Sequence, residues 1–474
     1  MADNEIRLAV GDSSSSSSVA ITVGAKLRNK KKIQKLLPHL RSKEDSSVHD
    51  PKVVSIGPYH HGKPELQLVQ GIKRKVLDHF ISNSSSSSSQ QKDYEFYFKK
   101  MLEVVHTARS CYILDDEEEF DDLQFAEMML LDACFLLNYF LMTTNYGDDA
   151  AKALEYYSPV KITALIDVGA GLLFTERDTL LLDNQIPLWI IKLLFNARYG
   201  NPPHTWKHLL SMRSQLVVWE EIVYENVDEL EKHVMLQLDD DDDDDEAPLH
   251  LLEFYHMLMV SRPSSSEAAA GIGSTPIKSI EEFIDEYGYL FRSVMDLKSK
   301  GIHFSRNYTD STLMRGIKFD SNLLRAKLML PFINASTIAG VSLQNMIAYE
   351  LCNFTRTQFV VGSYINFMKS LIVSPGDVKE LREKRIIRST LGEDKEVVKL
   401  LHGLNTYDFD NPIIFRDVKH KILKYYNSKT KTWMAELAHT YFRSPWTAIA
   451  LFAATLLLVL TFLQTYFTIN PRRH

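Results

Sequence analysis

Residues Glu127–Met142 read EMMLLDACFLLNYFLM, a stretch that is apolar nearly all round a helical wheel. Such a helix has no polar face to give to water and is expected inside a domain. A similar run, LLLDNQIPLWIIKLLF over Leu180–Phe195, contains Pro187, whose ring and missing N–H kink or restart a helix. Upstream, Leu66, Val69, Ile72, Val76, Leu77 and Phe80 recur at three- and four-residue spacing, and Tyr94–Cys111 is amphipathic. Downstream, helices are expected over 211–236, Leu249–Val260, Ile277–Asp296, Asn345–Asn353, Gly362–Val373, Pro375–Ile387, Lys395–Leu404 and Phe415–Tyr441. Pro375-Gly376-Asp377 supplies a helix start signal. Between them GIHFSRN and MRGIKFDSNLLRAKLMLPFI alternate apolar and polar residues around turns, which predicts a small β element.

Ahead of the first helix, Val53, Val54 and Ile56 form an extended run stopped by Gly57-Pro58, and Gly62 and Pro64 bracket a tight polar loop. The stretch AKLRNKKKIQKLLPHLRSK alternates leucine and isoleucine with lysine and arginine. It reads either as a helix packed on its own domain with a solvated basic face or as a segment lying on an anionic membrane.

The second decisive run is WTAIALFAATLLLVLTFLQTYF, Trp446–Phe467, 22 residues with no charge. At about 1.5 Å per residue it spans the roughly 30 Å of a hydrocarbon core. Trp446 and Phe467 stand where aromatic rings prefer the headgroup layer, Leu457 lies mid-span, and Arg443, Arg472 and Arg473 fence the ends. The expected fold is therefore mainly α: a multi-helix globular domain with a small β element, plus one C-terminal transmembrane helix. Residues 1–24 are a disordered serine-rich segment and 25–50 the basic amphipathic stretch. The helical domain covers 51–441, with flexible inserts near 82–92, 239–247 and 261–276. The span is 446–467 and the tail 468–474.

Composition narrows the function. The 474 residues carry 54 Lys and Arg against 61 Asp and Glu, a net charge of −7, with 45% hydrophobic residues. There is no global basic field for nucleic acid. The seven aspartates Asp239–Asp245 hold the acidity locally and read as a solvated loop, lacking the spaced ligands of a calcium loop. Cys111, Cys134 and Cys352 make no metal spacing and read as free thiols of a reducing compartment. The N-terminal stretch lacks the plan of a signal peptide. A lone span near the end of the chain follows the logic of a tail anchor, with residues 1–445 in the cytosol, at the plasma membrane or another endomembrane.

No HExxH, GxSxG, P-loop or DxDxDG pattern occurs, so no catalytic residue, metal ligand or cofactor is assigned. The candidate functional or structural polar cluster is Tyr59, His60 and His61 in the loop, with Asp132, Asp183, Asn184 and Gln185 inside apolar stretches. Burying a carboxylate is costly unless it is paired or accepts hydrogen bonds. These residues either tie the chain together or line a site.

Four segments in order carry a resemblance: VVSIGPYHHGKPEL (Val53–Leu66), EMMLLDACFLLNYF (Glu127–Phe140), DTLLLDNQIPLWIIKLLF (Asp178–Phe195) and LREKRIIRSTLG (Leu381–Gly392). With the closing YFRSPWTAIALFAATLLLVLTFLQTYF (Tyr441–Phe467), the chain resembles the plant family known as domain of unknown function 247. The resemblance implies a mostly helical plant protein with a C-terminal hydrophobic helix and no established enzymatic activity. Some members are linked to grass self-incompatibility and to sex determination. This chain has Asp183-Asn184-Gln185 where the family often has Glu-Asn-Gln, and SKGIHF for its AGVKF-like segment. The expected function is a membrane-anchored, non-enzymatic role in protein–protein recognition or signalling, with the bilayer and unknown proteins as partners. The alternative is a membrane-tethered enzyme using the His60/His61 loop with Asp132 and Asp183. A third reading inverts the topology and places the bulk outside the cytosol.

Overall fold

The helix expected around Glu127–Met142 runs from Asp122 to Thr144 in the computed structural model of the protein. The structure describes residues 31–41, 48–82, 93–114, 120–144, 171–199, 209–210, 247–260, 292–307, 314–322, 325–428 and 445–469. These fall into two compact units, the first ending at Tyr255 and the second beginning at His256. The expected serine-rich segment, the inserts, the helix over 211–236 and residues 277–291 and 429–441 lie outside the described residues.

In the first unit, helices α1 (Gln67–Ser82), α2 (Tyr94–Ser110) and α5 (Leu188–Tyr199) pack on α3 (Asp122–Thr144), with α4 (Gly171–Asp178) between α3 and α5 in the chain. All six periodic apolar residues from Leu66 to Phe80 are buried. Asp93 caps α2 by accepting from the Phe96 N–H at 3.0 Å. By length and composition Asp122–Leu141 could cross a membrane, but 83% of it is buried inside the protein. Its apolar surface is spent on the core of this unit. Towards the C-terminus the described apolar run, Phe452–Tyr466, is shorter.

Two expectations are corrected here. Helix α5 starts after Pro187, as the break there predicts, but Thr179–Pro187 ahead of it forms irregular turns and no helix. There the side chains of Asn184 and Gln185 bond main-chain groups and Asp183 pairs with His60 and Arg41, instead of lying inside a helix. The basic stretch is also not helical over residues 31–41, apart from one 3-10 turn at Pro38–Leu40. It packs on its own unit as an extended strap, with Ile33, Leu36 and Leu40 buried. The Ile33 N–H donates to Cys111 O at 2.7 Å in an isolated parallel bridge with Tyr112. Lys31 pairs with Glu253 at 3.0 Å.

Helix α6 (Leu251–Val260) contains the division between the units. The second unit then forms α7 (Val294–Ser299) and a three-stranded sheet of β1 (Ile302–Arg306), β2 (Lys318–Ser321) and β3 (Ala326–Leu330). Strand order is β1-β3-β2, parallel for the first pair and antiparallel for the second. Ile302 and Phe304 alternate inward opposite Ala326 and Leu328, as the period-two pattern requires. A second pairing joins β4 (Ile333–Ala335) in parallel to β5 (Ile387–Ser389). Helices α8 (Thr337–Cys352), α9 (Val360–Leu371), α10 (Pro375–Glu383) and α11 (Asp394–Gly403) pack together, and α12 (Arg416–Tyr426) lies against β2. The start signal at Pro375 is real: the Ser374 N–H and hydroxyl both donate to Asp377 Oδ2, at 2.9 and 2.8 Å. Gly340 allows α8 to approach α11, since a Cβ there would lie 2.6 Å from Leu400 Cδ1.

Glu350, fully buried on α8, holds this unit together. Its Oε1 accepts from His256 Nε2 at 2.9 Å and from the Val361 N–H at 3.0 Å, and Oε2 accepts from the Gly362 N–H at 3.0 Å. The carboxylate therefore fills the N-terminus of α9, where free N–H groups and the helix dipole favour an anion.

The last helix, α13 (Pro445–Ile469), has 25 residues and no charged one. Every one of its described side chains is exposed, Phe452, Leu458 and Phe462 each at 72%. Leu457 is among them at 65%, and Trp446 and Phe467 lie on the same helix. Thr461, Thr465 and Thr468 return their hydroxyls to the carbonyls four residues back.

Replacing Glu350 by Ala leaves the Val361 and Gly362 N–H groups buried without an acceptor, at about 1–3 kcal/mol each. Amide exchange of these two residues in the full chain is expected to accelerate roughly 5- to 150-fold, while the amides of α3 keep their protection.

Candidate functional site

The extended run Lys52–Gly57 enters the first unit, exposed at Lys52 and buried from Val54 to Gly57, yet belongs to no sheet. Main-chain groups taken out of water must still find partners, and here side chains supply them. Asp178, at the end of α4, accepts three successive N–H groups: Lys52 at 3.0 Å, Val53 at 2.7 Å and Val54 at 3.0 Å, all on Oδ2. Arg177 donates to the same carboxylate at 2.7 Å and to Asp50 O at 3.0 Å. Burial pushes the Asp178 carboxyl above its ordinary range, against the opposing pull of those N–H groups and Arg177.

Asn184 continues the clamp from the turn before Pro187. Its Oδ1 accepts from the Ile56 N–H at 2.7 Å, and its Nδ2 donates to Val54 O at 3.0 Å and Asp178 O at 2.9 Å. An amide offers both a donor and an acceptor, so it copies the edge of a neighbouring strand. Asp132 of α3 accepts from the Gly57 N–H at 2.8 Å on one oxygen and from Lys73 on the other. Lys73, wholly buried on α1, also donates to Ser55 O. Gly57 sits at φ 77°, and a Cβ there would lie 2.5 Å from Gln185 O, so both the backbone and the space require glycine. Gln185 donates to Thr179 O and Leu181 O and accepts from the Leu252 N–H at 3.2 Å.

Beyond Gly57 the chain turns through Pro58–His60. His60 Nε2 meets Asp183 Oδ1 at 2.9 Å, and Asp183 Oδ2 accepts from Arg41 at 2.9 Å. Arg41 also binds Asp50 at 2.8 Å. Tyr59 donates its hydroxyl to Ile33 O at 2.8 Å and accepts from the Ile113 N–H at 3.0 Å, fastening the strap 31–41. His61 is exposed, its ring set edge-on to Phe120.

The expected cluster thus converges in part on one main-chain segment. Tyr59, His60, Asp132, Asp183 and Asn184 reach it or its flanks, whereas the Gln185 side chain bonds Thr179, Leu181 and Leu252 and His61 is exposed. Sequence reasoning missed Asp178, Lys73, Arg41 and Asp50. Lys73 carried a usable signal, being a lysine between Val69 and Val76 on the apolar face of α1. Among the described residues no group of three or more His, Cys, Asp or Glu is placed to hold a metal ion.

A family model described as plant protein of unknown function, domain of unknown function 247, matches residues 33–460. The chain belongs to this family. Two Arabidopsis thaliana proteins are similar to this family member along most of their length. One, a UPF0481 protein, is 24% identical over 433 residues, covering 88% of this chain and 82% of the relative. The other, a putative UPF0481 protein, is 23% identical over 495 residues, covering 88% and 86%. No solved structure matches. The matched span of the family begins at Ile33, the strap's first buried residue, and includes the whole clamp.

Removing one partner of a buried ion pair strands the other, at about 3–5 kcal/mol. Lys73→Met is therefore expected to destabilise the first unit by that amount. Adding Asp132→Asn, which keeps an acceptor for Gly57, is expected to recover part of it; urea midpoints at unchanged slope measure both. The strap responds to acid. Burial raises Asp50 and Glu253, but Arg41 and Lys63 on the first, and His250 and Lys31 on the second, outweigh it and hold both carboxyls below their ordinary 3.8 and 4.5. Lowered carboxyl pKa values stabilise the fold above the unfolded values and are lost as pH falls through the folded ones. The exchange protection of the Ile33 amide is expected to stay level from pH 8 to pH 5 and to fall below about pH 4.

Proposed function

We propose that this protein is a membrane-anchored, non-enzymatic interaction protein, held to the bilayer by α13 and presenting its two units to protein partners on the cytosolic side. The observation that carries the reading is α13 itself: 25 residues, none charged, with every described side chain exposed. An uncharged, mostly apolar helix with every described side chain exposed is at odds with water, whereas hydrocarbon accepts it. Three of its hydroxyls, those of Thr461, Thr465 and Thr468, are bonded to its own backbone, which suits a bilayer. The clamp supports the non-enzymatic part, because its carboxylates and amides spend their bonding capacity on main chain.

One observation favours the alternative of a tethered enzyme. His60 is 2% exposed, is oriented by Asp183, and its Nδ1 has no hydrogen-bond partner. A carboxylate-oriented imidazole with its second nitrogen bare is the arrangement of a general base.

Topology decides the class of partner. Sequons stand at Asn83, Asn307, Asn334 and Asn353. Asn307 is half-buried and donates to Gly316 O at 2.7 Å, so it is a poorer acceptor than a free loop asparagine. The intact protein expressed in plant cells is expected to sediment with membranes through carbonate washing. It is expected to show no glycosidase-sensitive mass shift and to lose its bulk to protease added outside sealed microsomes. A shift abolished by Asn83→Gln would place the bulk on the other side of the membrane.

A further inference from the structure

The second unit carries an aromatic surface that no described residue covers. Phe354 is 59% exposed, Phe409 44% and Ile413 65%, and half-buried Phe359 completes the group. The three rings form one cluster: Phe359 stacks on Phe409 with centroids 5.6 Å apart, and Phe354 leans on both at 5.1 and 6.3 Å. Two loops are held rigidly to present them. Phe359, Tyr407 and Asp408 all have left-handed backbone, with φ of 53°, 52° and 56°. Asn366 donates to Phe409 O, Asn411 donates to Gln358 O, and the Asn411 N–H donates to Ser363 Oγ. Left-handed backbone at non-glycine residues is unfavourable and persists only where surrounding bonds enforce it.

We infer that this aromatic face seats the second unit on the headgroup layer of the bilayer that α13 enters, an inference that rests on the anchor reading above. Three observations select a membrane as the occupant. The face ends at Ile413, close in sequence to the anchor: only residues 429–444 separate the last described residue after α12 from α13. Sixteen residues span at most about 55 Å, which bounds the distance from α12 to α13 and raises the effective concentration of the face at the surface that α13 enters. Aromatic rings on a polar scaffold favour the boundary between headgroups and acyl chains. The charge beside the face is balanced, Lys419 pairing with Asp410 at 3.4 Å, which suits a zwitterionic surface and needs no anionic lipid.

The test uses the full chain reconstituted in nanodiscs of phosphatidylcholine, with a photoreactive diazirine residue replacing either Phe409 or Leu458. The adduct at position 458 reads the anchor and the adduct at 409 reads the face. Lipid adducts are expected at both. Phe354→Asp with Ile413→Asp is expected to cut the adduct at 409 at least fivefold and to leave that at 458 unchanged; both positions are exposed, so the fold tolerates the change. Lipid labelling at 458 without labelling at 409 overturns the inference and spares the anchor. Absence at 458 overturns the anchor reading and the inference with it. A protein adduct at 409 in plant membranes, with no lipid adduct there, makes the face a protein-docking surface and overturns it too.

Discussion

A buried extended segment without a strand neighbour is the constraint around which the first unit is built. Leaving a buried N–H or C=O unpaired costs about 1–3 kcal/mol, and Lys52–Gly57 presents several. The chain answers with four side chains from three distant places, Lys73 of α1, Asp132 of α3, and Asp178 and Asn184 at the turn before α5. Two features of the unit then follow. Asp132 and Lys73 neutralise each other in the apolar middle of the bundle, and Pro187 ends the turn only after Asn184 and Gln185 have been delivered.

The second unit solves a related problem with the same chemistry. Glu350 meets the first N–H groups of α9, much as Asp178 meets those of Lys52 to Val54. In each case a carboxylate inside the protein is spent on main-chain donors and further balanced by a basic side chain, Arg177 or His256. Such carboxylates act as mortar between elements. Their presence in an apolar context is by itself no sign of catalysis.

Periodic apolar residues made α1 and α2 legible in the sequence, because one spacing determines both the helix and its buried face, and α3 was legible as a long run apolar all round. The alternation around Ile302 to Leu330 foretold the small sheet for the same reason. Asp132, Asp183, Asn184 and Gln185 stood out as polar residues in apolar surroundings. Their common target was not visible, since a main-chain amide has no letter in a sequence. Asp178 was missed because, beside Arg177, it looks like an ordinary surface pair. The strap at residues 31–41 has helix-like spacing, but Pro38 and the bridge to Tyr112 leave it extended. Leu180–Gln185 reads as helix until its polar side chains are seen bonding to backbone.

The clamp also imposes a schedule on the growing polypeptide. Val53, Val54 and Ile56 lie 124 to 130 residues before the side chains that complete their bonding. At about 5–20 residues per second, the ribosome delivers Asp178 and Asn184 on the order of 10 s after the segment itself. During that interval the nascent chain exposes a short β-prone stretch with open amide groups, the kind that pairs with any passing strand. The unit closes only once the turn at Asn184 has emerged.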